Sequence, residues 1–242
     1  MTDTYWTRPA DTRVSGSGEC TLTVLAPPRP TPADSFAPHD PVRARAFAAD
    51  FPTVEEVVED LGVVPADQVP HPEIRADLDL IAVGHYGGAV CLSDPALADD
   101  GTDNTVREAA RAVHARHPGS LVVGSAHVDL GEDHIEDVLL LPDGTLLHAS
   151  GYPGFEDPWE SQGDPRAALG ALGVDVDLLD EDTQEDLALD GEPHLVNWEL
   201  VVSLALKGRD PRRHPRLEVS LLRVRHTREH TAAMEELWLL GR

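Results

Sequence analysis

The sequence predicts an α+β fold, in which a mainly antiparallel sheet (a meander plus hairpins) packs against several short helices and one buried helix in the C-terminal half. The first observation is segment 119–154, where three apolar runs are separated by turn residues at Gly131 and at Pro142-Asp143-Gly144. This is the pattern of consecutive antiparallel strands. The other two observations are a second glycine-rich turn between apolar runs, and Asp-Pro pairs and capping boxes that mark helix starts.

The length and the local composition predict the domain organisation. The chain has 242 residues, which is enough to bury a substantial core, and we expect a single domain over residues 1–242. Residues 1–18 are polar and contain turn-forming residues, so they predict a loose N-terminal arm. Residues 175–192 are strongly acidic but lack the glycine and glutamate spacing of a calcium loop. They predict a solvated acidic loop segment.

Three elements are predicted in the N-terminal quarter. Residues 19–26 alternate and are rich in β-branched side chains, which predicts a strand. Asp40 precedes a proline, an N-cap arrangement that predicts a helix over 41–48. A capping box opens 53–61, apolar side chains recur there at helical spacing, and Gly62 follows, which predicts a second helix.

The middle of the chain predicts a hairpin and another helix. Apolar runs at 78–83 and 89–92 flank the glycine-rich residues 84–88. That loop lacks the following helix and the lysine of a nucleotide-binding loop, so turn formation is favoured over phosphate binding. A second capping box predicts a helix that begins at Thr105 and ends before Pro118.

The C-terminal third predicts helices followed by two closing strands. Asp164 precedes a proline and predicts a short helix. Residues 194–206 are apolar on nearly all sides, which is typical of a helix buried against a sheet. Residues 216–224 and 234–240 predict the closing strands.

The formal charge of −25 at pH 7 is the strongest global property. It argues against nucleic acid or an anionic membrane as a partner, because both are bound by basic surfaces. It is compatible with a basic protein partner, with a small molecule, with metal cations, or with solubility alone.

The sequence also indicates the cellular compartment of the protein and the state of its cysteines. No apolar run approaches the ~20 residues that a membrane span needs, and the N-terminus has no basic and apolar regions of a secretory signal. We therefore expect a cytoplasmic protein. Its two cysteines, Cys20 and Cys91, lie in strand-like runs and are expected to be buried thiols without a bridge.

The turns of segment 119–154 predict which side chains share one face of the sheet. A three-residue loop at 142–144 pairs Leu141 with Thr145, and a four-residue turn at 130–133 pairs Asp129 with His134. Since strand side chains alternate with period two, one face would then carry His127, Asp129, His134, Glu136, His148, Ser150 and Tyr152. Opposed side chains lie roughly 4.5–5.5 Å apart at Cβ.

This face supplies the candidate site residues. Imidazoles and carboxylates at such spacing could hold a divalent metal, with His127, Asp129, His134 and Glu136 as candidate ligands. Without a metal, His134, Glu136 and Tyr152 are candidate catalytic groups for acid/base chemistry. A third interpretation is the polar rim of a sheet with an apolar centre, and a one-residue slip in either turn would divide the set between two faces.

Three passages resemble an uncharacterised domain family of high-GC Gram-positive bacteria. They are residues 94–99, the segment 141–151 and the two C-terminal stretches 224–227 and 234–238. The resemblance extends over nearly the whole chain. It implies no activity and supplies no catalytic residue.

Two functions remain open from the sequence. The favoured hypothesis is a non-catalytic binding protein, of an immunity-like or regulatory kind, whose acidic surface engages a basic partner. The alternative is a metal-dependent or acid/base enzyme that uses the His/Asp/Glu face of the meander. A serine nucleophile in a Gly-x-Ser-x-Gly turn is not found in the sequence.

Overall fold

A computed structural model describes residues 5–27, 36–129, 131–156, 159–211, 214 and 216–240. Among these residues, the strands are β1 (Ser17–Leu25), β2 (Val54–Pro65), β3 (Leu80–Tyr86), β4 (Ala89–Ser93), β5 (Leu121–Asp129), β6 (Asp133–Leu140), β7 (Leu146–Gly151), β8 (Trp159–Gln162) and β9 (Glu218–His226). The α-helices are α1 (Pro41–Ala49), α2 (Thr105–Arg116), α3 (Pro165–Ala171), α4 (Glu181–Leu187), α5 (Trp198–Leu206) and α6 (Arg228–Met234).

The strands form one antiparallel sheet in the order β2-β9-β3-β4-β1-β5-β6-β7-β8. Helices α1, α2 and α6 bury their apolar side chains on one face of the sheet, which we call the α2 face. Helices α3, α4 and α5 do the same on the opposite face, the α5 face. An α+β fold with a mainly antiparallel sheet is therefore confirmed.

Local signals placed most helices correctly. Asp40 accepts the backbone N–H groups of Val42 and Arg43 at the start of α1, and Asp164 does the same for Arg166 and Ala167 at the start of α3. These contacts satisfy amides that have no partner within the helix. The buried C-terminal-half helix is α5, which begins four residues later than predicted.

The helix predicted over 53–61 is wrong, because this segment lies in strand β2. Bulges between Val54 and Glu56 and between Val57 and Glu59 shift its register against β9. Each bulge adds a residue to one strand, so Val54 and Val57 reach the same buried face at a spacing of three. That spacing imitates a helical stripe, and only the partner strand reveals the difference.

The strand predicted over 234–240 is also wrong. Helix α6 is followed by a π-helical turn, Glu235–Leu239, in which Trp238 is buried. Thr227 accepts the N–H of His230 at the helix start. A short apolar run does not distinguish a strand from a buried helical turn.

Two segments that were expected to be loosely held make defined contacts. The indole of Trp6 donates to Asp79, in the 3-10 turn before β3, and the hydroxyl of Ser15 donates to the carbonyl of Trp238, in the π-helical turn. These contacts hold the described part of the N-terminal arm against the rest of the chain; residues 1–4 lie outside the described residues. Within 175–192, the structure forms α4, which Asp180 caps through the N–H of Thr183.

Two further findings concern the cysteines and the helices. Cys20 and Cys91 are free and buried, as predicted. Within the described ranges, every helix is too short or too polar to cross a bilayer.

Candidate functional site

The pairing of β6 with β7 agrees with the sequence prediction. Val138 lies opposite His148 and Glu136 lies opposite Ser150, and the N–H of Leu141 donates to the Thr145 carbonyl across the turn. His134, Glu136, His148 and Ser150 therefore share the α2 face, as expected from the loop at 142–144.

The pairing of β5 with β6 differs from the prediction by one residue. Asp129 pairs with Asp133 and not with His134, and His127 pairs with Ile135 and not with Glu136. Residue 130 of this turn lies outside the described residues. The side chain of Asp129 accepts the N–H of Gly131, which stabilises the turn. Since alternate residues point to opposite faces, His127 and Asp129 lie on the α5 face. The prediction of a single shared face is wrong.

On the α2 face, Glu136 caps a helix. Its carboxylate accepts the backbone N–H groups of Val106 and Arg107, each at 2.9 Å, in the first turn of α2. The side chain is fully buried, and burial raises its pKa against the opposing effects of His148 and of the two N–H groups. A carboxylate at a helix N-terminus is stabilised by the free amides and by the helix dipole. Glu136 therefore has a structural role.

Next to this cap lies a polar network, in which the sequence did not indicate the parts of Glu160 and Arg107. His148 Nε2 is 3.3 Å from Glu136 Oε1, and His148 Nδ1 is 3.9 Å from Glu160 Oε1. Glu160, on β8, also accepts from the guanidinium of Arg107 at 2.6 Å. These side chains join β6, β7 and β8 to helix α2.

His134 and Tyr152 remain together at the end of the meander. Their rings meet edge to face with centroids 5.2 Å apart, and His134 Nε2 lies 3.3 Å from Ser150 Oγ. Burial lowers the pKa of His134, although the charges of Asp99 and Asp100 act against it. His134 and Tyr152 line an open depression of about 540 Å³.

On the α5 face, the same one-residue shift creates a pair that the sequence did not predict. Asp137 has no exposed surface, and its Oδ2 lies 3.1 Å from Nε2 of His127, whose side chain is 34% exposed. The hydroxyl of Ser125 donates to Oδ1 of Asp137 at 2.6 Å. A buried carboxylate that holds one nitrogen of an imidazole fixes the orientation of the ring and leaves Nδ1 for other contacts.

Two adjoining pockets, of about 470 Å³ and about 260 Å³, lie between this part of the sheet and helix α5. His127 and Glu199 line both, and we call the combined space the His127 groove. Its acidic lining residues are Glu19, Asp129, Asp133, Glu199 and Asp210. Among the described residues that line it, none is a lysine or an arginine.

The environment of His127 favours its charged form. Burial acts to lower the pKa of His127, but the hydrogen bond and the charge of Asp137 outweigh burial. The charges of Glu199 and Glu19 act in the same direction, and the pKa lies above its ordinary value. Over the described part of the chain, no three His, Cys, Asp or Glu side chains are grouped so that they could hold a metal ion.

Comparison with known proteins places the chain in a family. The profile of a family of unknown function, DUF6333, matches residues 5–241, nearly the whole chain. The chain belongs to DUF6333. No curated protein and no solved structure matches it significantly.

In this DUF6333 protein, sequence reasoning missed Asp137 and Ser125. The missing signal is the length of the turn after β5. Asp129 is followed two residues later by Gly131, a spacing at which an Asp side chain accepts a backbone N–H and closes a shorter turn. With that turn, Asp137 lies opposite Ser125 and on the same face as His127. The predicted register places Asp137 and His127 on opposite faces.

Proposed function

We propose that this protein is a non-catalytic binding protein that takes a positively charged segment of a partner protein into the His127 groove. The observation that carries the proposal is the lining of the groove, where the carboxylates of Asp129, Asp133 and Glu199 lie near the oriented imidazole of His127 and no described lining residue is a lysine or an arginine. The formal charge of −25 supports it further, because a strongly negative surface attracts a basic partner over a distance.

His127 makes this binding dependent on pH. A protonated imidazole beside Glu199 competes with the cation of the partner for the same negative charge. Since its pKa is raised, His127 carries charge at pH values where an ordinary histidine is neutral. We expect affinity for a cationic segment to rise with pH as His127 loses its proton.

Calorimetric titration with a capped pentapeptide of alternating arginine and glycine tests the proposal. The affinity should fall as salt is raised, and Glu199→Gln and Asp133→Asn should each weaken binding by about two- to fivefold, the effect of one exposed charge pair. The control variants Asp182→Asn and Glu185→Gln change the same charge on α4, outside the groove, and should leave the affinity unchanged. An equal loss in the control variants, or binding that ignores salt, contradicts the proposal.

A second candidate function is acid/base catalysis at the pair Asp137–His127. The specific observation in its favour is that a fully buried carboxylate orients a partly exposed imidazole at the wall of a groove, an arrangement typical of a general base. Turnover of a panel of nitrophenyl esters, phosphates and glycosides that is lost in His127→Gln and retained in the α4 control variants would favour this function. Equal rates with and without the His127 side chain would exclude it for those substrates.

A further inference from the structure

A separate cavity of about 230 Å³ lies on the α5 face beside the His127 groove. Its floor consists of Leu80 and Ala82 on β3 and Val219 and Leu221 on β9, and the loop that follows β2 closes it with Val69 and Pro70. We call it the Val69 cavity. Its lining is mostly apolar and also includes Glu19, Asp67 and Asp77.

The position of the helices explains why this cavity exists. On this face, helix α5 packs against β5 and β6, and α3 and α4 pack against α5. Over β9, β3 and β4, the segment 66–72, which begins with the 3-10 turn Ala66–Gln68, takes the place of an α-helix and leaves Leu80 and Leu221 only half-buried. Removing such apolar surface from water is favourable, at about 25 cal/mol per Å².

The Val69 cavity and the His127 groove are neighbours that share lining residues. Glu19 and Thr21 on β1 line both the cavity and the groove, and Gly18 lines the cavity and the outer end of the groove. Asp67 also lines the cavity, and none of its described lining residues is a lysine or an arginine. An apolar floor therefore adjoins an acidic channel.

We propose that one ligand fills both spaces: the bound segment of the partner carries an apolar side chain that enters the Val69 cavity, next to basic residues that lie in the His127 groove. This inference rests on the proposed function and names the chemical class of the ligand more closely. A cavity of about 150 Å³ holds a benzene ring, so the Val69 cavity has room for an aromatic or a branched aliphatic side chain. The carboxylates of Asp129, Asp133 and Glu199 in the groove favour cationic groups in the neighbouring part of the ligand.

Two peptides test the inference: the capped arginine–glycine pentapeptide, and the same peptide with one glycine replaced by phenylalanine. We expect the phenylalanine peptide to bind about tenfold more tightly, because its ring is buried on binding. Val69→Trp closes the cavity from the loop and Ala82→Leu fills it from the floor. Each should abolish the gain from phenylalanine and leave the affinity for the parent peptide unchanged. Val42→Trp, at an exposed position of α1, is the matched control and should retain the gain.

The outcomes separate this inference from the proposed function. Equal binding of the two peptides overturns the two-part ligand and leaves the charge-based function standing. Binding of the phenylalanine peptide alone, without salt dependence, supports the cavity and overturns the charge-based function. If neither peptide binds, both are overturned. A gain that survives Val69→Trp and Ala82→Leu shows that the ring binds elsewhere and overturns the inference.

Discussion

Nε2 of His148 lies 3.3 Å from Oε1 of Glu136, and both side chains are fully buried. The same carboxylate accepts two backbone N–H groups of α2. The carboxylate of Glu136, which the sequence predicted as a candidate metal ligand or catalytic group, is therefore surrounded by groups of this chain. On the other face of the meander, the buried carboxylate of Asp137 orients the partly exposed imidazole of His127.

Replacing Glu136 by glutamine should destabilise the fold. An amide has one oxygen, so it can accept only one of the two N–H groups from Val106 and Arg107, and its own NH₂ group faces the other. A buried donor without a partner costs about 1–3 kcal/mol, and we expect Glu136→Gln to lower the free energy of unfolding by that amount in urea denaturation. Glu132→Gln, at an exposed position of the adjoining turn, is the control. Full stability of Glu136→Gln would contradict the structural role of this carboxylate.

The β2 segment is a part of the fold that could not be predicted from the sequence. Its sequence matches a helix capping box, yet in the sheet Glu55 and Glu56 both pair with one arginine of β9, at 2.9 and 2.6 Å from Arg225. The bulges that space Val54 and Val57 three residues apart exist only because β9 is the partner. Tertiary pairing thus overrides a local signal. The Asp-Pro helix starts and the loop at 142–144 were predictable because each depends on residues next to one another in sequence.

Part of the candidate site could also be predicted from local sequence signals. The loop at 142–144 set the register of β6 with β7, so His134, Glu136, His148 and Ser150 were correctly placed on one face. The turn after β5 is one residue shorter than predicted, and a single residue transfers every side chain of a strand to the other face. The shorter turn places the predicted metal ligands on two faces of the sheet and brings Asp137 next to His127. The lining of the groove by Glu199 depends on how α5 packs on the sheet, which no local pattern contains.

The ionisation of His127 should depend on Asp137. Because the folded pKa of His127 is raised, the pair stabilises the fold below the ordinary pKa of histidine. This contribution is lost as the pH rises through the higher folded value. In Asp137→Asn, burial still acts to lower the pKa of His127 and the charge of Asp137 is gone, so we expect the pKa of His127 to fall relative to the unmodified protein.

The measurement is an NMR titration of the histidine ring protons, with His127→Gln to assign the resonance. Ser125→Ala is the matched control, because it removes the other hydrogen bond to Asp137 and keeps the carboxylate charge. The pKa of His127 should stay raised in that variant. An unchanged pKa in Asp137→Asn would show that the carboxylate does not set the ionisation of the ring.

Gly124 of β5 should be intolerant of a larger side chain, because α2 packs directly on it. A Cβ at this position would collide with Cγ1 of Val106, a buried residue of α2. Overpacking of this kind costs about 1–3 kcal/mol, so Gly124→Ala should lower the free energy of unfolding by that amount. Gly170 of α3 offers the opposite case, since its backbone is helical and nothing lies within 4 Å of an added Cβ. Gly170→Ala should raise the free energy of unfolding by up to about 1 kcal/mol. Urea denaturation of the two variants compares them directly, and a stabilised Gly124→Ala would mean that α2 does not lie on β5 as the structure shows.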